Sequence, residues 1–235
     1  GITADVVGKN ADWEKYEAVM FPVTLLVDKD TGKRAERYVE NGGKLIVTYG
    51  SGISDSQDHV YTGGYPGAFR NVLGIKVQEF VAVAENHEIR LDNGWTGTLW
   101  ADDVMEITED CGILACITDG DGDTALEGRP VVTKRNYGKG QAFYIGIKLR
   151  REDGAEFFAK YIKEEESFIW KEDRIPLCVE RVGEKRRYQF IFNRSPQEKI
   201  IVPKKGRLLY LSNGMEREKE VLLQPAGVAV LSLGF

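Results

Sequence analysis

Over the first fifty residues, apolar positions arrive in short clusters separated by polar turns. Ala4-Asp-Val-Val7 reads as a short strand, and Tyr16-Glu-Ala-Val-Met-Phe-Pro22 as a second. Pro22 ends the second strand because proline has no amide proton to give to a ladder. Ala35, Tyr38 and Val39 recur at spacings of three and four, the period of one helix face. Asp30 or Thr31 is expected to cap this helix, since their side-chain oxygens accept orphan amide protons. Asn41-Gly42-Gly43 ends it, because glycine adopts the left-handed conformation beyond a helix C-terminus. Lys44-Leu-Ile-Val-Thr-Tyr49 shows no alternation and predicts a strand buried throughout. Strand, helix and strand with a short return form the parallel crossover unit of α/β folds.

The pattern then changes. Gly50 to Gly67 is rich in Gly, Ser, Asp and Tyr and is expected to be a long surface loop. Phe69–Leu73 predicts a short helix closed by Gly74. From Val77 to Ile147 the chain reads as short strands, with turn residues at Leu91-Asp-Asn-Gly94 and Tyr137-Gly-Lys-Gly140. Gln141-Ala-Phe-Tyr-Ile-Gly-Ile147 is apolar enough to be a central strand. A last helix, about Asp153–Glu165, places Phe158, Tyr161 and Ile162 on one face. Beyond Arg174, six strand candidates follow: 179–182, 187–192, 199–202, 207–211, 219–223 and 227–231. Their spacing and their Asn, Pro and Gly turns predict an antiparallel sandwich.

Composition adds a boundary. The 235 residues carry a formal charge of −5, but the segment from Lys171 onward holds 13 basic and 8 acidic residues, leaving the earlier part acidic. Such a step marks two units, placed at 1–167 and 170–235. The basic residues of the second unit alternate with glutamates, as on a solvated sheet face, so no nucleic-acid partner is expected. No apolar run is long enough to span a membrane, so no membrane association is expected either. Three cysteines, Cys111, Cys116 and Cys178, cannot all pair and read as reduced thiols.

Candidate chemistry is sparse. Ser51 follows an apolar strand, but a nucleophile elbow needs glycines two residues on either side, where Tyr49 and Ile53 stand. A Ser51/His59/Asp58 hydrolase is the weak form of this reading. Asp119-Gly-Asp-Gly-Asp123 opens like a calcium loop, yet Thr124 and Pro130 occupy the positions that need Gly and Glu. It reads as an acidic hairpin tip, and no metal or cofactor is expected. Asn193-Arg-Ser195 has the form of a glycosylation sequon but is followed by Pro196, and it is discounted. Loop aromatics are more informative: Tyr61, Tyr65, Phe69, Trp95 and Trp100 are candidates for contact with another subunit or a sugar ring.

Several runs together resemble a known family. Arg37-Tyr-Val-Glu-Asn-Gly-Gly-Lys-Leu-Ile-Val-Thr-Tyr-Gly-Ser-Gly52 and His59-Val-Tyr-Thr-Gly-Gly-Tyr-Pro-Gly67 are similar to the trimerisation domain of family 42 β-galactosidases. So are Leu99-Trp-Ala-Asp102, Gly128-Arg-Pro-Val-Val-Thr133 and Tyr137–Gly146. Val221–Leu231 resembles the end of that family's small C-terminal β domain. The resemblance implies a flavodoxin-like, class I glutamine amidotransferase-like three-layer α/β domain without its nucleophile, followed by the β-sandwich. It also implies a homotrimer in the cytoplasm and, as a further partner, a catalytic TIM barrel whose active site takes galactosides. The barrel performs retaining hydrolysis with two glutamates, the acid/base one after an asparagine. A barrel alone needs about 250 residues, and Asn-Glu occurs nowhere in this sequence. No catalytic residue is therefore expected in this chain. The first residue, Gly1, is expected to follow a truncation.

Overall fold

A computed structural model describes residues 4–85, 87–119, 126–162, 177–183 and 185–233. Contacts divide the chain into a larger unit, Val7–Glu164, and a smaller one comprising Gly1–Val6 and Glu165–Phe235. The boundary expected between residues 167 and 170 lies outside the described residues.

The larger unit is built on a crossover. Strand β1 (Ala18–Phe21) leads through helix α1 (Lys29–Glu40) to strand β2 (Lys44–Thr48), and β1 and β2 pair in parallel. The α1 face carrying Gly32, Ala35, Tyr38 and Val39 is buried, as the spacing requires. Gly32 permits a close approach: a side chain there would stand 2.2 Å from the Ala68 carbonyl oxygen. The cap differs from expectation. Asp28, not Asp30 or Thr31, caps the helix, its Oδ1 accepting from the Thr31 amide at 2.7 Å. The helix begins at Lys29, so Asp30 and Thr31 already lie within its first turn.

Helix α2 (Arg70–Leu73) ends at Gly74, which is left-handed at φ 67°. Seven strands follow: β3 (Ile75–Ala82), β4 (Ile89–Leu91), β5 (Thr96–Ile107), β6 (Cys111–Asp119), β7 (Pro130–Tyr137), β8 (Gly140–Ile145) and β9 (Ile147–Leu149). They join β1 and β2 in a nine-stranded sheet of order β1-β2-β8-β7-β6-β4-β5-β3, with β9 on β5. Parallel pairing extends only through β1, β2 and β8; the other pairs are antiparallel. The unit is thus a mixed, mostly β form of the expected α/β class. Strand β8 is central, as its apolar run predicts, between β2 and β7.

Three local expectations are corrected. Ala4–Val7 is not a strand; these residues are exposed and have no ladder partner among the described residues. The segment after Gly50 is only partly a surface loop. Ser51, Ser54 and Tyr65 are buried, drawn inward by backbone bonds from Gly52 to Thr24, from Ile53 to Leu25 and between Tyr65 and Val77. The last helix starts earlier, as α3 (Arg151–Phe157), and widens into a π turn over Phe158–Ile162. Phe157, rather than Phe158 or Tyr161, is its fully buried aromatic. The rest of the expected helix lies outside the described residues.

The smaller unit consists of β10 (Leu177–Val182), β11 (Arg187–Phe192), β12 (Ile200–Pro203), β13 (Arg207–Glu216) and β14 (Glu220–Leu233). All its pairs are antiparallel, but they make one five-stranded sheet rather than the two faces of a sandwich. The reason is β14. Two expected strands are halves of one 14-residue strand, whose first half pairs with β12, second half with β11, and both with β13. Its core holds Ile191, Val202, Val221, Leu223, Ala229 and Leu231. Asn193 is buried, its amide nitrogen donating to the carbonyls of Glu198 and Gln224, so the sequon-like run is a structural corner. The three cysteines are free thiols.

Candidate interaction site

The end of β2 tests the hydrolase reading. Ser51 Oγ accepts from the Thr24 amide at 2.9 Å and donates to the Phe21 carbonyl at 3.1 Å. The side chain is fully buried, and its one proton is committed to the backbone. His59 turns to Asp55 instead, with Nδ1 3.2 Å from Oδ2, and its side chain is 79% exposed. Asp58 occupies a positive-φ position in the same turn. No hydrogen bond joins Ser51 to His59, so no nucleophile–base pair forms here.

The five aromatics separate by burial. Phe69 is fully buried against Phe21, ring centroids 4.8 Å apart. Trp95 is buried, edge-on to Phe157. Tyr65 is buried, and its hydroxyl donates to Asp102 Oδ1 at 3.0 Å. These three rings build the core and present no surface to a partner. Tyr61 is half-buried; its hydroxyl donates to the Val27 carbonyl, and its ring occupies the space beside Gly67, where a side chain would clash at 2.0 Å. Trp100 is also half-buried. It stacks on Phe80 with centroids 4.1 Å apart and planes 12° apart, and Tyr49 lies 5.9 Å away.

Beneath Trp100 lies a buried carboxylate that the sequence pattern did not single out as a site. Asp102 is fully buried, and its oxygens accept three donors: Trp100 Nε1 at 2.7 Å, Tyr65 Oη at 3.0 Å and Tyr144 Oη at 2.5 Å. Burial pushes its carboxyl up to about 6, against the downward pull of Tyr144, Trp100 and Tyr65. Burial and the Asp102 charge together hold the Tyr65 and Tyr144 hydroxyls well above the usual phenol range. Strand β5 reaches this position through a bulge: its pairing with β9 shifts register between Thr98 and Ala101, and Leu99 between them has φ 64°. The Asp102 amide then donates to the Gly146 carbonyl, just past the carboxyl end of β8. Leu99-Trp100-Ala-Asp102 was legible only as part of a family pattern; an Asp-Asp pair inside an otherwise apolar strand was its chemical signal.

Both oxygens of this carboxylate are engaged. Three donors fix it, and they hold the Trp100 ring in place. Among the described residues no group of three His, Cys, Asp or Glu side chains is placed to hold a metal ion. The Asp119–Asp123 run lies largely outside those residues, as does Lys163–Glu166. Glu216 is exposed and Glu220 half-buried, and they are paired with Lys204 and Arg217. Among the described residues no helix is long and apolar enough to cross a membrane.

Comparison with known proteins places this geometry. The family described as "Beta-galactosidase trimerisation domain" matches residues 1–167. The β-galactosidase BbgII of Bifidobacterium bifidum is 32% identical over 238 residues, covering 98% of this chain and 34% of that protein. The β-galactosidase Pbg of Clostridium perfringens is 30% identical over 244 residues, again covering 98% and 34%. The chain therefore spans about a third of the length of the curated relatives it matches. Among solved structures, Gan42B, a GH42 β-galactosidase of G. stearothermophilus, superposes with a TM-score of 0.82 at 26% identity, over 100% of this chain and 34% of that one. The β-galactosidase of Rahnella sp. R3 shares the fold, with a TM-score of 0.81 at 21% identity, over 100% and 35%. With the family match over residues 1–167 and a 32% identical relative across 98% of its length, the chain belongs to the trimerisation-domain family of the GH42 β-galactosidases.

Proposed function

We propose that this chain is the assembly part of a β-galactosidase, a non-catalytic α/β unit over 1–167 with a C-terminal β domain over 170–235. It associates as a homotrimer in the cytoplasm, and hydrolysis of terminal β-D-galactosides is carried out by a TIM barrel outside this sequence. The observation that carries the reading is Ser51. At the position after β2 that the sequence offers as a nucleophile, both hydrogen-bonding roles of the hydroxyl are taken by backbone. Retaining hydrolysis needs two carboxyl groups about 5–5.5 Å apart in a sugar pocket. Asp102 is a single carboxylate sealed by two tyrosines and an indole.

The parallel β1–α1–β2 crossover and β8 beside it support an amidotransferase-like scaffold whose chemistry has been lost. A sugar-binding module built on the five aromatics is less well supported, because Phe69, Tyr65 and Trp95 are core residues. The test is hydrolysis of a chromogenic β-galactoside by the purified chain. No release above background is expected; release would overturn the reading.

A further inference from the structure

The sequence contains three Asn-Gly pairs: Asn41-Gly42, Asn93-Gly94 and Asn213-Gly214. This dipeptide carries its own reaction. The glycine backbone nitrogen attacks the side-chain amide carbon of the asparagine before it, and glycine, which has no Cβ, leaves that approach open. All three asparagines are exposed, so water reaches each of them. Residue type does not rank the three pairs; their hydrogen bonds do.

Asn213 is held by the sheet. Its side-chain nitrogen donates to the Pro225 carbonyl at 2.7 Å, and Gly214 lies in β13 so close to β14 that a side chain there would stand 2.4 Å from the Leu222 carbonyl oxygen. Asn93 is held by its own turn: Oδ1 accepts from the Trp95 amide at 3.1 Å, and Nδ2 donates to the Leu114 carbonyl at 3.4 Å. Asn41 differs. It follows the last residue of α1, and among the described residues nothing hydrogen-bonds its side-chain amide. Gly42 beside it faces open space, with no atom within 4 Å of the place a side chain would occupy. The attacking nitrogens of the two loop sites are matched, since the Gly42 amide donates to Val39 at 2.9 Å and the Gly94 amide to Leu91 at 3.0 Å. The unheld side chain is the difference between them.

We infer that Asn41 is a site of spontaneous covalent modification, deamidating in the folded chain ahead of Asn93 and Asn213 with water as the co-reactant. The Gly42 nitrogen bonds to Asn41 Cγ, the Cγ–Nδ2 bond breaks, and Nδ2 leaves as ammonia with the proton that the Gly42 amide gives up. Water then opens the resulting cyclic imide at one of its two carbonyls. Opening at Cγ leaves aspartate. Opening at the Asn41 backbone carbonyl leaves isoaspartate, whose main chain runs through the side-chain carbons and is one methylene longer. Either product puts a negative charge beside Glu40 at the carboxyl end of α1, where the helix dipole disfavours it. The longer chain also falls at a tight junction. The Lys139 amide donates to the Glu40 carbonyl and the Gln141 amide to the Gly43 carbonyl, and a side chain at Gly140 would stand 2.3 Å from the Val39 and Gly43 carbonyl oxygens. The turn between α1 and β2 is thus docked on the turn between β7 and β8, and the β2–β8 pair begins beside it. An extra methylene displaces the two turns and loosens the start of that pair.

Ageing of the purified chain at mildly alkaline pH, followed by peptide mapping, is the test; trypsin releases Asn41 within residues 38–44. Asn41 is expected to deamidate about fivefold faster than Asn93 or Asn213, the factor set by one hydrogen bond that the others must break first. In concentrated urea, where the folded contacts are gone, the three should react at similar rates. Asn41→Gln, whose longer side chain closes the cyclic imide far more slowly, should remove the fast phase of ammonia release, with circular dichroism showing an unchanged fold. Thermal melts of aged chain should reveal a less stable fraction that grows with isoaspartate at position 41. Asn41→Asp, which brings the charge without the longer backbone, should show a smaller loss. A folded chain in which Asn41 reacts no faster than the other two, or a fast ammonia release that survives in Asn41→Gln, overturns the inference. Identical melting of fresh and aged chains overturns the consequence assigned to the β2–β8 junction.

Discussion

Tyr144 and Asp102 lie 42 residues apart in the chain, and the Tyr144 hydroxyl donates to the Asp102 carboxylate at 2.5 Å. That bond ties the central strand β8 to β5. With Tyr65 and Trp100, it encloses a charged group that has no counterion among its hydrogen-bond partners. Burying a charge this way costs free energy, which the three donors offset only in part. What the arrangement secures is the position of the Trp100 ring beside Leu99.

The cost gives a pH signature. Asp102 titrates near 6 in the folded chain, above the ordinary aspartate value of 3.8. The native state therefore keeps a proton that the unfolded state has lost, so this contribution is full below about pH 4 and disappears as the pH rises through 6. The loss is about 3 kcal/mol. Denaturant melts across this range should show Asp102→Asn with a flatter dependence than the wild type. Parallel curves would mean that Asp102 does not titrate there.

Ser51→Ala leaves a buried amide at Thr24 and a buried carbonyl at Phe21 without their shared partner. The expected loss is about 1–3 kcal/mol in unfolding free energy. Hydrolysis of a chromogenic ester should be as low as before. An activity that vanishes with this substitution would restore the hydrolase reading.

The Asp28 carboxyl is shifted in the opposite direction from that of Asp102. The Thr31 hydrogen bonds and the Lys9 ammonium hold its carboxyl down at about 2. Its stabilising effect is present above about pH 3.8 and is lost as the pH falls toward 2. Asp28→Ala should cost about 1 kcal/mol at neutral pH, the usual value of a cap, and the gap between mutant and wild type should close in acid. A gap that does not depend on pH would mean that the carboxylate is not the capping group.

Local elements were legible where one physical rule decided them. The three- and four-residue spacing of Ala35, Tyr38 and Val39 marked the α1 face, and the unbroken apolar run of β2 marked a fully buried strand. The cap lies two or three residues before the expected positions because Asp28, Asp30 and Thr31 all carry a suitable oxygen, and only the backbone selects among them. The last two strand candidates merged because Gln224-Pro-Ala-Gly227 reads as a turn, yet in the sheet β14 continues through it, with Ala226 at φ 57°. The candidate site was less legible. Tyr and Trp in turn-rich segments suggested exposure, but which rings turn inward depends on long-range partners such as Tyr65 with Asp102. The positive φ of Val23 and Leu99 left no trace in residue type, since neither is a residue that favours it.

Sedimentation equilibrium of the purified chain decides whether it assembles in threes. A complex of three 26.4 kDa chains that dissociates only on dilution is expected. A single chain at all concentrations, or an assembly without threefold stoichiometry, would contradict it.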